Sequence, residues 1–146
     1  MSAARTSCGV IVGDGERILL GHATRSPRWD IPKGEAEPGE DFAASAAREL
    51  HEETGLRVAP GELTALGVHP YLRGKDLALF LWRPPTMPDP KTLVCSSTFR
   101  LPTGTELPEM DRFALFFWNE ALGRVGKNMA RVLAAVRRDA RMQASQ

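Results

Sequence analysis

The chain has 146 residues, of which 42% are apolar and 25% are charged. This length and composition predict one folded domain over residues 1–146 and exclude wholesale disorder. Nineteen basic and eighteen acidic residues give a net charge of +1, which excludes a uniformly basic surface for binding nucleic acid.

Cysteine usage and the N-terminal residues predict the compartment. Cys8 and Cys95 lie far apart in apolar segments without a C-x-x-C pattern, so we expect free thiols. Residues 1–7 lack the apolar stretch of a signal peptide, and no apolar run reaches membrane-spanning length. We therefore expect a cytoplasmic protein with no membrane partner.

The N-terminal part of the chain is predicted to be extended. Residues 7–12 and 17–20 read as strands, and the Asp14-Gly15 pair between them is typical of a two-residue hairpin turn. A polar loop over 22–28 precedes a short extended segment at 29–31. The following residues 33–40 contain two glycines, a proline and three glutamates, and fit neither a helix nor a central strand.

The pattern becomes helical after Asp41, a predicted N-cap, and Gly55 predicts the helix end. The second half of the chain is predicted to be mainly strands, at 63–72, 77–82, 93–97 and 113–118, with loops over 84–91 and 98–111. An amphipathic helix around 129–136 closes the chain. This order predicts an α/β fold, with a mixed β-sheet covered by helices on its faces.

The mid-chain helix has an acidic face. At about 100° per residue, Glu49, Glu52 and Glu53 fall within one arc of roughly 100°. Like charges at i,i+4 are destabilising, and we expect Arg48 to relieve only Glu52, its own i+4 neighbour. Three close carboxylates suit Mg²⁺ or Mn²⁺ better than zinc. A solvated acidic face is the alternative interpretation.

The residues around this face form a longer motif. Gly34, five residues, Glu40, seven residues and then the run Arg-Glu-Leu-His-Glu-Glu-Thr-Gly-Leu over 48–56 match the Nudix box at every defined position. The chain therefore resembles the Nudix hydrolases. The resemblance implies an α/β/α sandwich with a mixed β-sheet and a catalytic loop–helix–loop over 34–56. It also implies Mg²⁺- or Mn²⁺-dependent hydrolysis of a nucleoside diphosphate linked to another group.

Roles for the box residues follow from the same resemblance. Glu49, Glu52 and Glu53 look like metal ligands, one of them also acting as the base through a bound water. Gly34 looks like a ligand through its backbone carbonyl, and we also expect it to permit a tight turn. Arg48 looks like the residue that orients the glutamates by salt bridges.

Substrate-binding residues are predicted on both sides of the box. The Pro32-Lys33-Gly34 entry resembles members acting on dinucleoside polyphosphates or diphosphoinositol phosphates, where the lysine meets a phosphate. A plain loop lysine is the alternative. Strand alternation places His69, Tyr71 and Arg73 on one face, which suits a nucleotide pocket and equally a solvated sheet face.

A further carboxylate is expected from the loop at 105–111, which offers Glu106, Glu109 and Asp111. Resemblance to family members that recruit such a group favours Glu109. We interpret His51 as structural, because it lies about 200° around the helix from Glu49. His22 has no partner that the sequence reveals.

These features predict an enzyme acting on a small-molecule nucleotide, with dinucleoside polyphosphates favoured over ADP-ribose and nucleoside triphosphates. A Nudix domain that senses a nucleotide without cleaving it is the alternative of another class, but its box would be degenerate and this one is complete. RNA 5′-end processing would need a basic track beyond the pocket, for which the composition gives no support. Both a monomer and a homodimer stay open.

Overall fold

The computed structural model describes residues 5–144 and places helices on both sides of a mixed sheet. Nine strands and three α-helices are found in this described range. The strands are β1 (Arg5–Val12), β2 (Arg17–Ala23), β3 (Trp29–Asp30), β4 (Lys33–Glu35), β5 (Thr64–Leu72), β6 (Lys75–Trp82), β7 (Thr98–Arg100), β8 (Glu106–Pro108) and β9 (Met110–Phe117). The helices are α1 (Phe42–Thr54), α2 (Trp118–Arg124) and α3 (Lys127–Ala144).

Most strands belong to two sheets. The larger sheet has the order β4-β1-β6-β5, and only its β1–β6 pair is parallel, with Arg5 opposite Lys75 and Val12 opposite Trp82. The second sheet, β3-β2-β9, is antiparallel throughout. The predicted mixed sheet is therefore confirmed. None of the described helices is long and apolar enough to cross a membrane.

The core lies on both faces of the larger sheet. On one face Val10 and Val12 pack with Leu50 of α1, and on the other Ile11 packs with Met129 and further residues of α3. Strand β1 is buried on both faces, which explains its continuous apolar sequence. The layers α1, sheet and α2–α3 form the α/β/α sandwich that the family resemblance implied.

The predicted hairpin at Asp14-Gly15 is wrong in its strand pairing. The Asp14 carboxylate accepts hydrogen bonds from the backbone N–H groups of Glu16 and Arg17, so the turn forms. Beyond it the two strands make one isolated bridge, Gly13 to Ile18, and then diverge into different sheets. Each strand is buried and finds its long-range partners elsewhere, which a local turn signal cannot reveal.

The predicted strand at 93–97 is also wrong, because this segment is a loop that covers the end of α1. The Glu52 carbonyl accepts from the backbone N–H of Ser96 at 2.7 Å and of Ser97 at 3.2 Å, and the Thr54 carbonyl accepts from Val94 at 3.1 Å. Carbonyls at a helix end lack intrahelical partners, so they accept hydrogen bonds from the N–H groups of this segment. Those N–H groups are then not available for pairing with a neighbouring strand. The predicted loop at 98–111 contains the small β7–β8 hairpin, and α2 begins at Trp118.

Candidate active site

Helix α1 begins and ends where the sequence predicts. The Asp41 side chain accepts a hydrogen bond from the backbone N–H of Ala44 at 3.2 Å, and Gly55 has a left-handed φ of 82°. Caps of this kind stabilise a helix by about 1 kcal/mol. They fix the register of the acidic face, so that Glu53 is buried while Glu49 and Glu52 keep partial exposure.

Arg48 is the centre of a carboxylate network. Its Nε and Nη2 donate to the two oxygens of Glu40 at 3.0 and 2.9 Å. Its Nη1 donates to Glu49 at 2.9 Å and lies 3.4 Å from both oxygens of Glu52. The expectation that Arg48 relieves only Glu52 is therefore wrong, since helical spacing ignores the loop that supplies Glu40. The hydrogen bonds from Arg48 hold the pKa of Glu40 well below its ordinary value.

Gly34 allows a close approach of Glu49. A Cβ at residue 34 would overlap the Glu49 carboxyl group, so any other residue there would push the end of this flexible side chain aside. The expected tight turn is absent, because Gly34 lies in β4 opposite Cys8. Burial and the nearby charge of Glu52 raise the pKa of Glu49 above its ordinary value.

Glu53 is the most enclosed of the three glutamates, with 4% of its surface exposed. Its Oε1 accepts a hydrogen bond from the backbone N–H of Lys33 at 2.9 Å, and its carboxyl group shares a hydrogen bond with that of Glu109. Burial and this contact raise the pKa of Glu53 to about 9. Without a cation, the Glu53–Glu109 pair therefore holds a shared proton more tightly than an isolated carboxyl group does.

Of the three acids in the loop at 105–111, the structure brings Glu109 to Glu53. Glu106 pairs with Arg100 on the surface, and Asp111 lies 2.8 Å from Nδ1 of His22. His22 thus has a partner, contrary to expectation, which comes from 89 residues away. The backbone N–H of Glu109 donates to the Ser97 carbonyl at 3.0 Å. The loop that covers the end of α1 therefore also fixes the position of Glu109.

Glu53 and Glu109 line a cleft of about 160 Å³ together with Asp30 and Lys33. The Lys33 Nζ lies 3.2 Å from Asp30 and 5.9 Å from the centre of the Tyr71 ring. Burial lowers the pKa of Lys33, but the charge of Asp30, the neighbouring Tyr71 and the hydrogen bond to Asp30 together raise that pKa above its ordinary value. Lys33 therefore presents a fixed positive charge to the cleft.

Only Tyr71 of the predicted trio on β5 lies beside this cleft. The ring Nε2 of His69 is 2.8 Å from the Leu66 carbonyl of its own strand, and Arg73 is exposed in the turn after β5. Among the described residues, Tyr71 contacts the cleft only through Lys33, and it lines a second cavity of about 340 Å³ with Arg28 and Asn128. Sequence reasoning missed these two residues, because they come from a loop and a helix start that carry no motif.

The carboxylate face fits a hard divalent cation in the kind of donor it offers. The raised pKa values of Glu49 and Glu53 reflect crowded, buried carboxyl groups, which a cation would relieve. Within residues 5–144, however, no three acidic, histidine or cysteine side chains converge closely enough to form a ready-made metal site. Arg48 and the Lys33 backbone N–H occupy carboxylate oxygens with hydrogen bonds, so ion binding requires some of these side chains to turn.

Comparison with known proteins places this architecture in a family. The family model of the NUDIX domain matches residues 3–136. An uncharacterized 17.7 kDa protein of Enterobacteria phage T4, from the e-segB intergenic region, is 39% identical over 110 residues, which cover 73% of this chain and 70% of that protein.

A second relative shares a shorter region. The RNA pyrophosphohydrolase of Dinoroseobacter shibae is 42% identical over 64 residues, which cover 42% of this chain and 40% of that enzyme. Among solved structures, a binary complex of a C. elegans Ap4A hydrolase superposes with a TM-score of 0.68 at 20% identity, covering 96% of this chain and 99% of that one. The chain therefore belongs to the NUDIX family, as a Nudix hydrolase that acts on nucleoside diphosphate derivatives.

Proposed function

We propose that this enzyme uses Mg²⁺ or Mn²⁺ to hydrolyse a phosphoanhydride bond whose phosphates lie in the cleft between Glu53, Glu109 and Lys33. The juxtaposition of a carboxyl pair with a fixed lysine charge carries this proposal. A phosphate chain needs positive charge on all sides, and one lysine supplies only part of it. The carboxyl groups opposite Lys33 are suited to bind divalent cations, which would supply the rest of the positive charge.

The ions are proposed to bind to Glu49, Glu52, Glu53 and Glu109 and to the Gly34 carbonyl. A bound divalent ion neutralises phosphate charge and lowers the pKa of the attacking water. Arg48 limits the movement of Glu49 and Glu52 by its hydrogen bonds, and Lys33 contacts a phosphate oxygen. One of the glutamates accepts the proton of the attacking water.

The second cavity is proposed to hold the nucleoside. Its volume of about 340 Å³ lies within the range of small-ligand sites. Tyr71 offers an aromatic face between this cavity and the cleft, while Arg28 and Asn128 offer polar groups to a base or sugar. One nucleoside next to one phosphate cleft suits a nucleoside diphosphate whose other group extends outward.

The identity of that other group is the remaining question of substrate. The lysine at the box entry supports dinucleoside polyphosphates, the class that the sequence favours. The RNA pyrophosphohydrolase relative supports a 5′-phosphorylated RNA instead. ADP-ribose and nucleoside triphosphates would present the same kind of phosphoanhydride bond to the cleft, so they also have to be tested as substrates.

A substrate panel with two variants tests the proposal. Diadenosine tetraphosphate, ADP-ribose, dGTP and 5′-triphosphorylated RNA are incubated with Mg²⁺ or Mn²⁺, and products are identified by mass. We expect Tyr71→Leu to raise KM about tenfold and Tyr71→Phe, the matched control, to retain the stacking ring and the wild-type KM. Tight nucleotide binding without turnover of any substrate would instead establish the non-catalytic sensor.

A further inference from the structure

A row of cations follows one side of α3. This helix contains five basic residues and one acidic residue, although the whole chain has a net charge of +1. At about 100° per residue, Lys127, Arg131, Arg138 and Arg141 fall within an arc of about 80°, and all four are exposed. We call these four residues the α3 stripe. Helix α3 therefore has an excess of positive charge, although the whole chain is close to neutral.

The stripe begins at the proposed nucleoside cavity. Lys127 lines that cavity beside Tyr71, and the Arg131 Nη2 donates to the Tyr71 carbonyl at 3.2 Å. Arg28 adds a further cation at the same end, because its Nη1 would lie 3.3 Å from a Cβ placed on Gly126. The positive surface is thus continuous from the cavity onto the helix.

The stripe then leads away from the site. Fourteen residues separate Lys127 from Arg141, which corresponds to about 21 Å along the helix axis. Solvated helix faces usually alternate acids with bases at i+4, whereas the stripe contains no acid. The one acidic residue of α3, Asp139, lies about 100° around the helix from Arg138. Like charges at i,i+3 and i,i+4 destabilise a helix, so an anionic partner would offset part of this cost. Arg141 also has partners within the protein, since its Nε donates to the Gly15 carbonyl at 2.9 Å.

We propose that the α3 stripe binds the sugar–phosphate backbone of a single-stranded nucleic acid whose 5′ phosphoanhydride end lies in the catalytic cleft. This rests on the proposed function and specifies the second group of its substrate. A linear row of cations about 21 Å long matches a chain of phosphates, whereas a free mononucleotide ends at the cavity. In the reaction, the oxygen of water bonds to one phosphorus and the bridging oxygen leaves with the other. The two protons of water pass to the products or to solvent.

A salt titration of RNA binding tests the stripe. The probe is an unstructured 5′-triphosphorylated RNA of about 20 nucleotides, mixed with metal-free protein so that binding is separated from turnover. For Arg131→Gln/Arg138→Gln we expect at least about tenfold weaker binding at 0.1 M salt. We also expect the slope of log K against log salt concentration to become less negative by about 0.7 for each cation removed.

The matched control removes the same charge from elsewhere. Arg57 and Arg83 are exposed, and they flank Val58 and Trp82, which pack on the α1 side of the sheet. Arg57→Gln/Arg83→Gln should therefore retain wild-type binding and slope. Arg138→Gln alone leaves the contact between Arg131 and Tyr71 intact, and should reproduce about half of the change in slope.

Hydrolysis of a small nucleotide from the panel separates this proposal from the proposed function. We expect Arg138→Gln, which leaves the contact between Arg131 and Tyr71 intact, to hydrolyse that nucleotide at the wild-type rate while KM for the RNA rises severalfold. Equal losses in the stripe and control variants, or an unchanged salt slope in the stripe variants, would overturn the stripe proposal alone. So would weakened binding to anionic phospholipid vesicles with RNA binding unaffected. Absence of hydrolysis of every substrate in the panel by the wild type would overturn the proposed function, and the titration would still decide whether the stripe binds RNA.

Discussion

Replacing Arg48 with lysine keeps a positive charge and removes the planar fork that holds several carboxylates at once. Arg48 makes two hydrogen bonds to Glu40 and one to Glu49 at 2.9–3.0 Å. A lysine ammonium can reach one of these carboxylates in good geometry and leaves the other without its partner. We therefore expect Arg48→Lys to fold normally, with Glu40 and Glu49 no longer held against each other.

The size of the effect follows from the bonds lost. The charge-assisted hydrogen bond to Glu49 would contribute about 1.5–3 kcal/mol if both groups were buried. Because 28% of the Arg48 side chain is exposed, solvent screening reduces the expected loss of unfolding free energy to about 1 kcal/mol. Release of Glu49 next to the reacting phosphates should lower kcat by at least about tenfold, since misplaced catalytic groups lose up to ~10²-fold.

Two measurements check this expectation. Urea unfolding in EDTA gives the change in stability, and kcat measured against Mg²⁺ concentration gives the rate and the metal requirement. Arg100→Lys is the control, because Arg100 pairs with Glu106 on the exposed β7–β8 hairpin. A lysine variant of Arg48 with the wild-type kcat and the wild-type Mg²⁺ dependence would show that charge alone suffices and would refute the positioning role.

Three further substitutions test the carboxylates. Gly34→Ala should lower kcat by about 10² or more, because its Cβ displaces the Glu49 carboxylate, and steady-state kinetics would measure this. The pKa of Glu53 is raised in the folded state, so its contribution to metal-free stability is greatest below pH about 4.5 and is lost as the pH rises through about 9. In EDTA, the thermal stability of the wild type should fall with rising pH across this range, and Glu53→Gln should lack the part of that fall that comes from Glu53. An identical pH profile for both proteins would contradict this expectation. Glu109→Gln should raise the Mg²⁺ concentration needed for half-maximal rate, whereas Glu106→Gln, which alters a surface pair, should not.

The local features of the box could be predicted from the sequence because they depend on neighbouring residues. Asp41 and Gly55 bound α1 as their side-chain and backbone preferences require, and the acidic face follows from helical geometry. The strand predicted over residues 7–12 likewise lies within β1, but its central place in the sheet was not predicted. Each of these inferences uses residues at most a few turns apart.

The features that the sequence did not reveal depend on distant partners. The hydrogen bonds from Arg48 to Glu40 require the loop before α1 to fold back onto the helix. The contact of His22 with Asp111 joins β2 to β9. Residues 93–97 have strand-like composition, but the free carbonyls at the end of α1 take up their donors. Helical spacing alone places the four cations of the α3 stripe on one face, but their contact with the cavity is visible only once α3 is placed against Tyr71. A single sequence provides none of these distances.

The most direct test of the central claim is turnover in ¹⁸O-labelled water by protein first stripped of metal with EDTA. On the panel substrate that it hydrolyses best, wild-type protein should be inactive after stripping and recover fully when Mg²⁺ or Mn²⁺ is added, with one ¹⁸O atom in a phosphate product. Glu53→Gln should recover no more than about one thousandth of that kcat. Full turnover in the stripped protein, or wild-type turnover by Glu53→Gln, would contradict metal-dependent phosphoanhydride hydrolysis at the Glu53–Glu109 cleft.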